Sequence, residues 1–517
     1  MVTANNPILS GFYPDPSICR VGQDFYLVNS SFAYFPGVPI FHSRDLAHWE
    51  QIGNILNREE QLPLENSEIS QGIFAPTIRH HNGVFYMITT NINHGGNFIV
   101  TAETPKGPWS VPHYLGKEAQ GIDPSLFFDE DGKCYYVGTR PNPEGVRHNG
   151  DWEIWIQELS LTEMKLVGKS MAIWKGALKD AIWPEGPHIY KIGAYYYLIH
   201  AEGGTGPDHA ISVARSRELW NWFEGCPRNP VFTHRNLGRN YPVVYTGHGD
   251  LVDDGNGGWY VIMLASRLCK GHSSMGRETF LAKVTWENDW PVINAETGKL
   301  ESQVELPFPP CRFGKEVLEH DSFHFYGKKL DERFVSIHRC RETMYSLTER
   351  PGFLRLYTRK EKISDKEDAS YLGIRQKSYQ FRLSAGVEFN PSKEGETAGL
   401  VLYQNHENHL LMEIAKKGNG RYFIVTTNIH GIKQMIAERK LEPVGLVEIN
   451  IRANVQEADI WITEGDIRTQ VARNVDLLPY TTERAGGFVG CTMGMYASAN
   501  GNESANYGDF AWLLYEK

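Results

Sequence analysis

The chain has 517 residues and a formal net charge of -10, and no apolar run long enough for a membrane-crossing helix. This length exceeds one ordinary core, so two or more domains are expected. The acidic balance, without Lys/Arg clusters, disfavours a phosphate-backbone partner, and neither nucleic acid nor membrane is expected as a ligand. With 50 Gly, 27 Pro, 13 Trp, 25 Tyr and 24 Phe, the composition suits many short strands joined by tight turns.

The first element, "GFYPDPSICRVGQDFYLV" from Gly11, sets Asp15 between Pro14 and Pro16 ahead of an alternating strand. The prolines stiffen the strand entry, so this carboxylate either caps a turn or is aimed at something. The pattern recurs. "PDPSICRVGQDFYLVNSS" from Pro14, "FAPTIRHHNGVFYMITTN" from Phe74 and "IDPSLFFDEDGKCYYVGT" from Ile122 align. "EGPHIYKIGAYYYLIHAE" from Glu185 and "GHGDLVDDGNGGWYVIML" from Gly247 continue the series. Each reads as strand, Gly-containing turn, then aromatic and β-branched strand, the signature of a hairpin.

The units repeat at 48 to 63 residues, and a second element ("SRDLAHW", "TPKGPW", "SRELWNW") recurs within three of them. Units of that length with about four strands each are propeller blades, so a five-bladed β-propeller is predicted. The residues just before the aligned position are Asp15, Ala75, Asp123, Gly186 (beside Glu185) and His248. Innermost strands line a propeller's channel, so three carboxylates converge on one channel mouth.

"PVINAETGKLESQVELPFPP", residues 291–310, is rich in Pro and poor in pattern, and reads as a join between domains. Beyond it the strands alternate over longer stretches without blade spacing, as in "TAGLVLYQNHENHLLMEI". That pattern suits a β-sandwich of jelly-roll, concanavalin-like type. The chain is therefore divided into a propeller, 1–310, and a sandwich, 311–517. The N-terminus shows no leader, and the seven scattered cysteines, with no CxxC, read as free thiols. Both point to the cytoplasm, although a mature chain stripped of its leader would read the same.

Paired carboxylates on a rigid frame suit glycoside hydrolysis. An inverting enzyme uses one as acid and one as base, with roughly 6.5–9.5 Å between them to admit water. Glu185 in "WPEGP" has apolar flanks that favour its neutral form, as a general acid requires, and Asp123 nearby pushes the same way. Asp15 then remains to activate water. Alone, Asp15 or Asp123 would read as a turn cap and Glu185 as a solvated strand end; their coincidence at one repeat position favours the functional reading. His248 is either a satisfied core histidine, a holder of a hydrated ion, or a substrate contact. Arg277 is either a structural ion-pair partner or a guanidinium fork on substrate or base. Phe32 and Phe74 are either core aromatics or the wall of a sugar subsite. Tyr507 is placed either at the pocket rim or in the sandwich, as a core or edge tyrosine.

"FYPDPS" with "SSFAYFPGVPIFHSRDLAHW", "IDPSLFFDEDGKCYYV" and "EGPHIYKIGAYYYL" resembles glycoside hydrolase family 43. The resemblance covers the propeller nearly completely, and the second domain resembles the sandwich of its exo-acting β-xylosidase and α-L-arabinofuranosidase members. It implies an inverting hydrolase with Asp15 as base, Asp123 as pKa modulator and orienter, and Glu185 as acid. Arg277 and His248 are implied as active-site neighbours. No cofactor is required for the chemistry, though the resemblance implies a calcium or similar ion near His248 in some members. Phe74 stands where β-xylosidases of this architecture often carry Trp, which shifts the expectation towards arabinofuranose. The expected substrate is a small arabinoxylan-derived oligosaccharide. β-Xylosidase or bifunctional activity is the alternative, and a non-catalytic carbohydrate-binding propeller is the alternative of another class. A homo-oligomer is left open.

Overall fold

A computed structural model describes residues 1–238, 240–309 and 320–517. The chain is almost all β. Its first part forms five four-stranded antiparallel sheets, each a meander in chain order. Their first strands are Ser17–Val21, Thr77–His81, Ile122–Phe128, Glu185–Ile192 and Val243–Asp253. Each of these contacts the first strand of the next sheet, and the fifth contacts the first. The hairpins follow local turn chemistry. In the second sheet His81 pairs with Val84 around Asn82 and Gly83, whose φ values of 49° and 81° are those of a turn that matches strand twist.

The apolar side chains are divided among five small cores, one between each pair of neighbouring sheets. The core between the fifth and first sheets also takes in Val2 and Ala4. These sit on strand Val2–Asn5, which pairs with Gln303–Leu306 and so ties the start of the chain to the end of the five-sheet region.

A buried polar cluster links the first strands. Arg79 of the second sheet makes two bonds to Asp250 of the fifth, at 2.9 and 3.2 Å, and one to His188 of the fourth at 2.9 Å. Asp250 also accepts from Ser17 at 2.7 Å and from Tyr190. Burial pushes the Asp250 carboxyl up, but the Arg79 guanidinium and the hydrogen bonds outweigh it and hold the group below its ordinary range. Burial drives His188 down to about 3, so it remains neutral. Removing one partner would leave a buried charge uncompensated, at a cost of about 3–5 kcal/mol.

The second part is a sandwich of an eight-stranded and a six-stranded sheet, closed over one continuous apolar core. It packs directly on the first part. Ser336–Ile337 pairs with Tyr34–Phe35, and the His338 N–H donates to the Ala33 carbonyl at 2.8 Å. A shared apolar cluster joins Phe12, Phe32 and Tyr34 to Tyr371, Tyr403 and Tyr496. The expected boundary at 310/311 and Cys311 lie outside the described residues; the six described cysteines are free thiols. Among the described residues no helix is long and apolar enough to cross a membrane.

Candidate active site

A cavity of about 570 Å³ opens near the starts of the first strands of four sheets and beside His248, midway along the first strand of the fifth, and all seven site residues expected from the sequence line it. The local backbone explains why. Asp15, Asp123, Gly186 and His248 occupy matching places in four sheets, with φ values of 50°, 51°, 57° and 50°. Strand register shifts at Ile122/Ser125, Glu185/His188 and Gly247/Asp250. A bulge bends the strand and re-aims a side chain, and a left-handed non-glycine residue costs about 1–3 kcal/mol. Three such non-glycine positions, Asp15, Asp123 and His248, around one cavity mark it as the place where the fold accepts strain, and Gly186 takes the same conformation without that cost.

The fourth sheet carries glycine at this position because the His248 ring stands against it. A Cβ on Gly186 would lie 2.7 Å from His248 Cε1. Its carboxylate is supplied from the preceding residue, Glu185.

The carboxyl groups differ in their surroundings. Asp15 is 5% exposed and accepts at both oxygens, from Ser30 Oγ at 2.6 Å and from Arg277 Nη1 at 2.7 Å. Among the described residues no cationic partner hydrogen-bonds Glu185. Burial, then the charges of Asp123 and Asp15, push its carboxyl well above 4.5, with Arg277 opposing only in part. Trp183 contributes to this dry surrounding as another lining residue, its ring packed against Gly204. Asp123 is intermediate: burial pushes it up to about 6, His248 pulls it down and Asp15 pushes it up again. The cavity thus brings together a carboxylate fixed by a cation and a carboxyl that retains its proton.

The remaining wall is aromatic. Phe32 and Phe74 meet at 5.5 Å between ring centroids. Phe488 of the sandwich stacks on Phe32 at 6.1 Å and meets Phe74 edge-on at 6.4 Å. The Arg277 guanidinium lies 5.7 Å from both the Phe32 and Phe488 rings. Arg277 therefore serves as ion-pair partner of Asp15 while facing the pocket. Phe32 and Phe74 are wall and local core at once.

Phe488, Ile92, Trp152 and Thr205 also line the cavity and were not among the residues nominated from sequence. For Phe488 the available signal was an aromatic residue alone in the glycine-rich "AGGFVG". Tyr507, in contrast, stays on the sandwich, paired opposite Tyr357 with the Arg355 guanidinium 3.5 Å from its ring. Among the described residues no three His, Cys, Asp or Glu side chains group as a metal site. Calcium takes six to eight oxygen ligands, and the single imidazole of His248 does not match that demand.

Comparison with known proteins gives the family. Residues 4–291 match the model of glycosyl hydrolases family 43, and residues 322–516 match the β-xylosidase C-terminal concanavalin A-like domain. A xylosidase/arabinosidase of Butyrivibrio fibrisolvens is 63% identical, with 100% of each chain covered. A non-reducing end α-L-arabinofuranosidase of Bacteroides ovatus is 37% identical over 99% of this chain and 94% of its own. The crystal structure of a xylan β-1,4-xylosidase from Bacillus halodurans superposes with a TM-score of 0.93 at 33% identity, covering 99% of this chain and 100% of the other. With more than half its length matched by the catalytic-domain model and the rest by the accompanying sandwich, this chain is a glycosidase and belongs to glycosyl hydrolase family 43.

Proposed function

We propose that the chain is an exo-acting, inverting α-L-arabinofuranosidase that removes non-reducing terminal arabinofuranosyl residues from arabinoxylan-derived oligosaccharides. The observation that carries this is the division of labour between Asp15, held by Arg277 and Ser30, and the proton-retaining Glu185. In the proposed reaction Asp15 takes a proton from water as its oxygen bonds to the anomeric carbon. Glu185 gives its proton to the glycosidic oxygen as the carbon–oxygen bond breaks. Asp123, between them in electrostatic terms, keeps Glu185 protonated and orients it. A preorganised pair of this kind acts only on the transition state, which is what raises turnover.

The five sheets support a reading as blades of a β-propeller, residues 1–310, followed by the sandwich, 311–517, and the cavity as the mouth of the channel. Deep carboxylates and an aromatic roof that includes Phe488 favour one terminal sugar over a chain passing through. The arabinofuranose preference draws on Phe74 and on the arabinosidase and arabinofuranosidase names of the two relatives. β-Xylosidase activity on the same site is the second reading, favoured by the double name of the 63% relative. The imported neutral oligosaccharides of a cytoplasmic enzyme suit an acidic chain. The test is kcat/KM on arabinoxylo-oligosaccharide against xylobiose. Faster arabinose release supports the proposal, and faster cleavage of xylobiose reverses the order of the two substrates.

A further inference from the structure

Arg277 closes a segment, Leu268 to Arg277, that leaves the fifth sheet and returns to it. The sandwich grips this segment along its length. Gln456 donates to the Cys269 carbonyl at 3.2 Å and Tyr379 to the His272 carbonyl at 3.0 Å. Gln376 donates to Ser274 Oγ at 2.9 Å, and the Cys491 N–H to the Ser274 carbonyl at 2.7 Å. At Ser273 the hold is two-sided. Its N–H donates to Glu483 Oε2 at 2.7 Å, and its carbonyl accepts from the Thr482 N–H at 2.8 Å. Beyond it Gly276 crosses Gly490 so closely that a Cβ on Gly276 would lie 2.8 Å from the Gly490 nitrogen. Of these contacts only the one at Glu483 brings a side-chain oxygen to a backbone N–H of the segment.

We infer that Glu483 is a positioning residue for catalysis: from the sandwich it fixes the segment that delivers Arg277 to Asp15. The inference rests on the proposed role of Asp15 and Arg277. Arg277 reaches Asp15 Oδ1 at 2.7 Å and Thr205 Oγ1 at 3.2 Å, and both bonds depend on where the backbone at 277 is held. The Arg277 carbonyl also accepts the Tyr13 N–H at 3.1 Å, so displacement of the segment would disturb the strand entry bearing Asp15 as well. A misplacement of about 1 Å at a reacting group can cost on the order of 100-fold in rate. The sandwich would thus contribute to turnover without its Glu483 touching the sugar.

The test is a double-mutant cycle on an aryl α-L-arabinofuranoside, with kcat, KM and melting temperature measured for each protein. Glu483→Ala is expected to lower kcat roughly 10- to 100-fold, with KM changed less. Glu483→Gln, whose amide oxygen still accepts from Ser273, should recover most of the loss. The Arg277→Ala/Glu483→Ala double variant should be no slower than Arg277→Ala alone, because both changes remove the same support. Multiplicative losses in the double variant, or a Gln variant as slow as the Ala variant, would overturn the inference. So would full activity in Glu483→Ala. Full activity in Arg277→Ala would instead overturn the reading of the site, and the clamp with it. Should Glu483→Ala not fold, Glu483→Asp, one methylene short of Ser273, enters the same cycle with the same criteria.

Discussion

Replacing Asp123 by Asn should make the protein more stable and less active, and the stability gain should depend on pH. In the native state the Asp123 carboxyl is raised from 3.8 to about 6, chiefly by burial. Below 3.8 it is protonated whether the chain is folded or not, and its contribution is fully present. Between 3.8 and about 6 the unfolded chain releases a proton that the folded site retains, so stability falls as pH rises. Above that window the loss is complete, and at about 1.4 kcal/mol per pH unit it amounts to about 3 kcal/mol. An asparagine carbonyl can still accept from the Gly186 N–H that bonds Asp123, but carries no charge to desolvate. Thermal melting of both proteins from about pH 4 to about pH 7.5 should show the Asn variant higher by a few degrees at the alkaline end, with the gain vanishing at the acid end. In the same variant Glu185 loses the nearby negative charge of Asp123, so the alkaline limb of kcat should move to lower pH. A melting difference that is equal at both ends, together with an unmoved alkaline limb, would refute this electrostatic account.

Glu185→Ala should reduce turnover by roughly 10²–10⁴-fold on a poor leaving group and much less on an activated aryl glycoside; equal losses on both would remove Glu185 as the acid. Phe488→Ala should raise KM more than it lowers kcat, because the ring forms part of the cavity wall without hydrogen-bonding either carboxylate; a pure kcat effect would assign it another role. A fragment ending at residue 309 should lose solubility and activity, since it exposes the face of Phe12, Phe32 and Tyr34 that the sandwich covers. A soluble, cooperatively melting and fully active fragment would show that the sandwich is dispensable.

The carboxylates of the site are legible in the sequence for a physical reason: a repeated sheet presents the same strand position to the same cavity. Asp15, Asp123 and Glu185 therefore share an alignment column, or stand beside it. The displacement of Glu185 by one residue follows from the His248 ring against Gly186, a packing fact with no sequence mark. Phe488 was illegible because its loop belongs to a domain without that repeat, and its approach to Phe32 depends on how the two domains dock. Tyr507 lies instead on the sandwich sheet beside Arg355. The cluster of Arg79, His188 and Asp250 was likewise invisible, because each residue reads alone as an ordinary strand charge. The division into five sheets and a sandwich was readable from spacing and alternation, whereas the grip of the sandwich on residues 268–277 required the coordinates.

In the proposed mechanism Asp15 activates water while Glu185 protonates the leaving oxygen, with no covalent intermediate. Proton NMR of the first sugar released from an α-L-arabinofuranoside tests it most directly. β-L-Arabinofuranose is expected to appear first and then to mutarotate. Initial release of the α-anomer would mean retention of configuration and would contradict it.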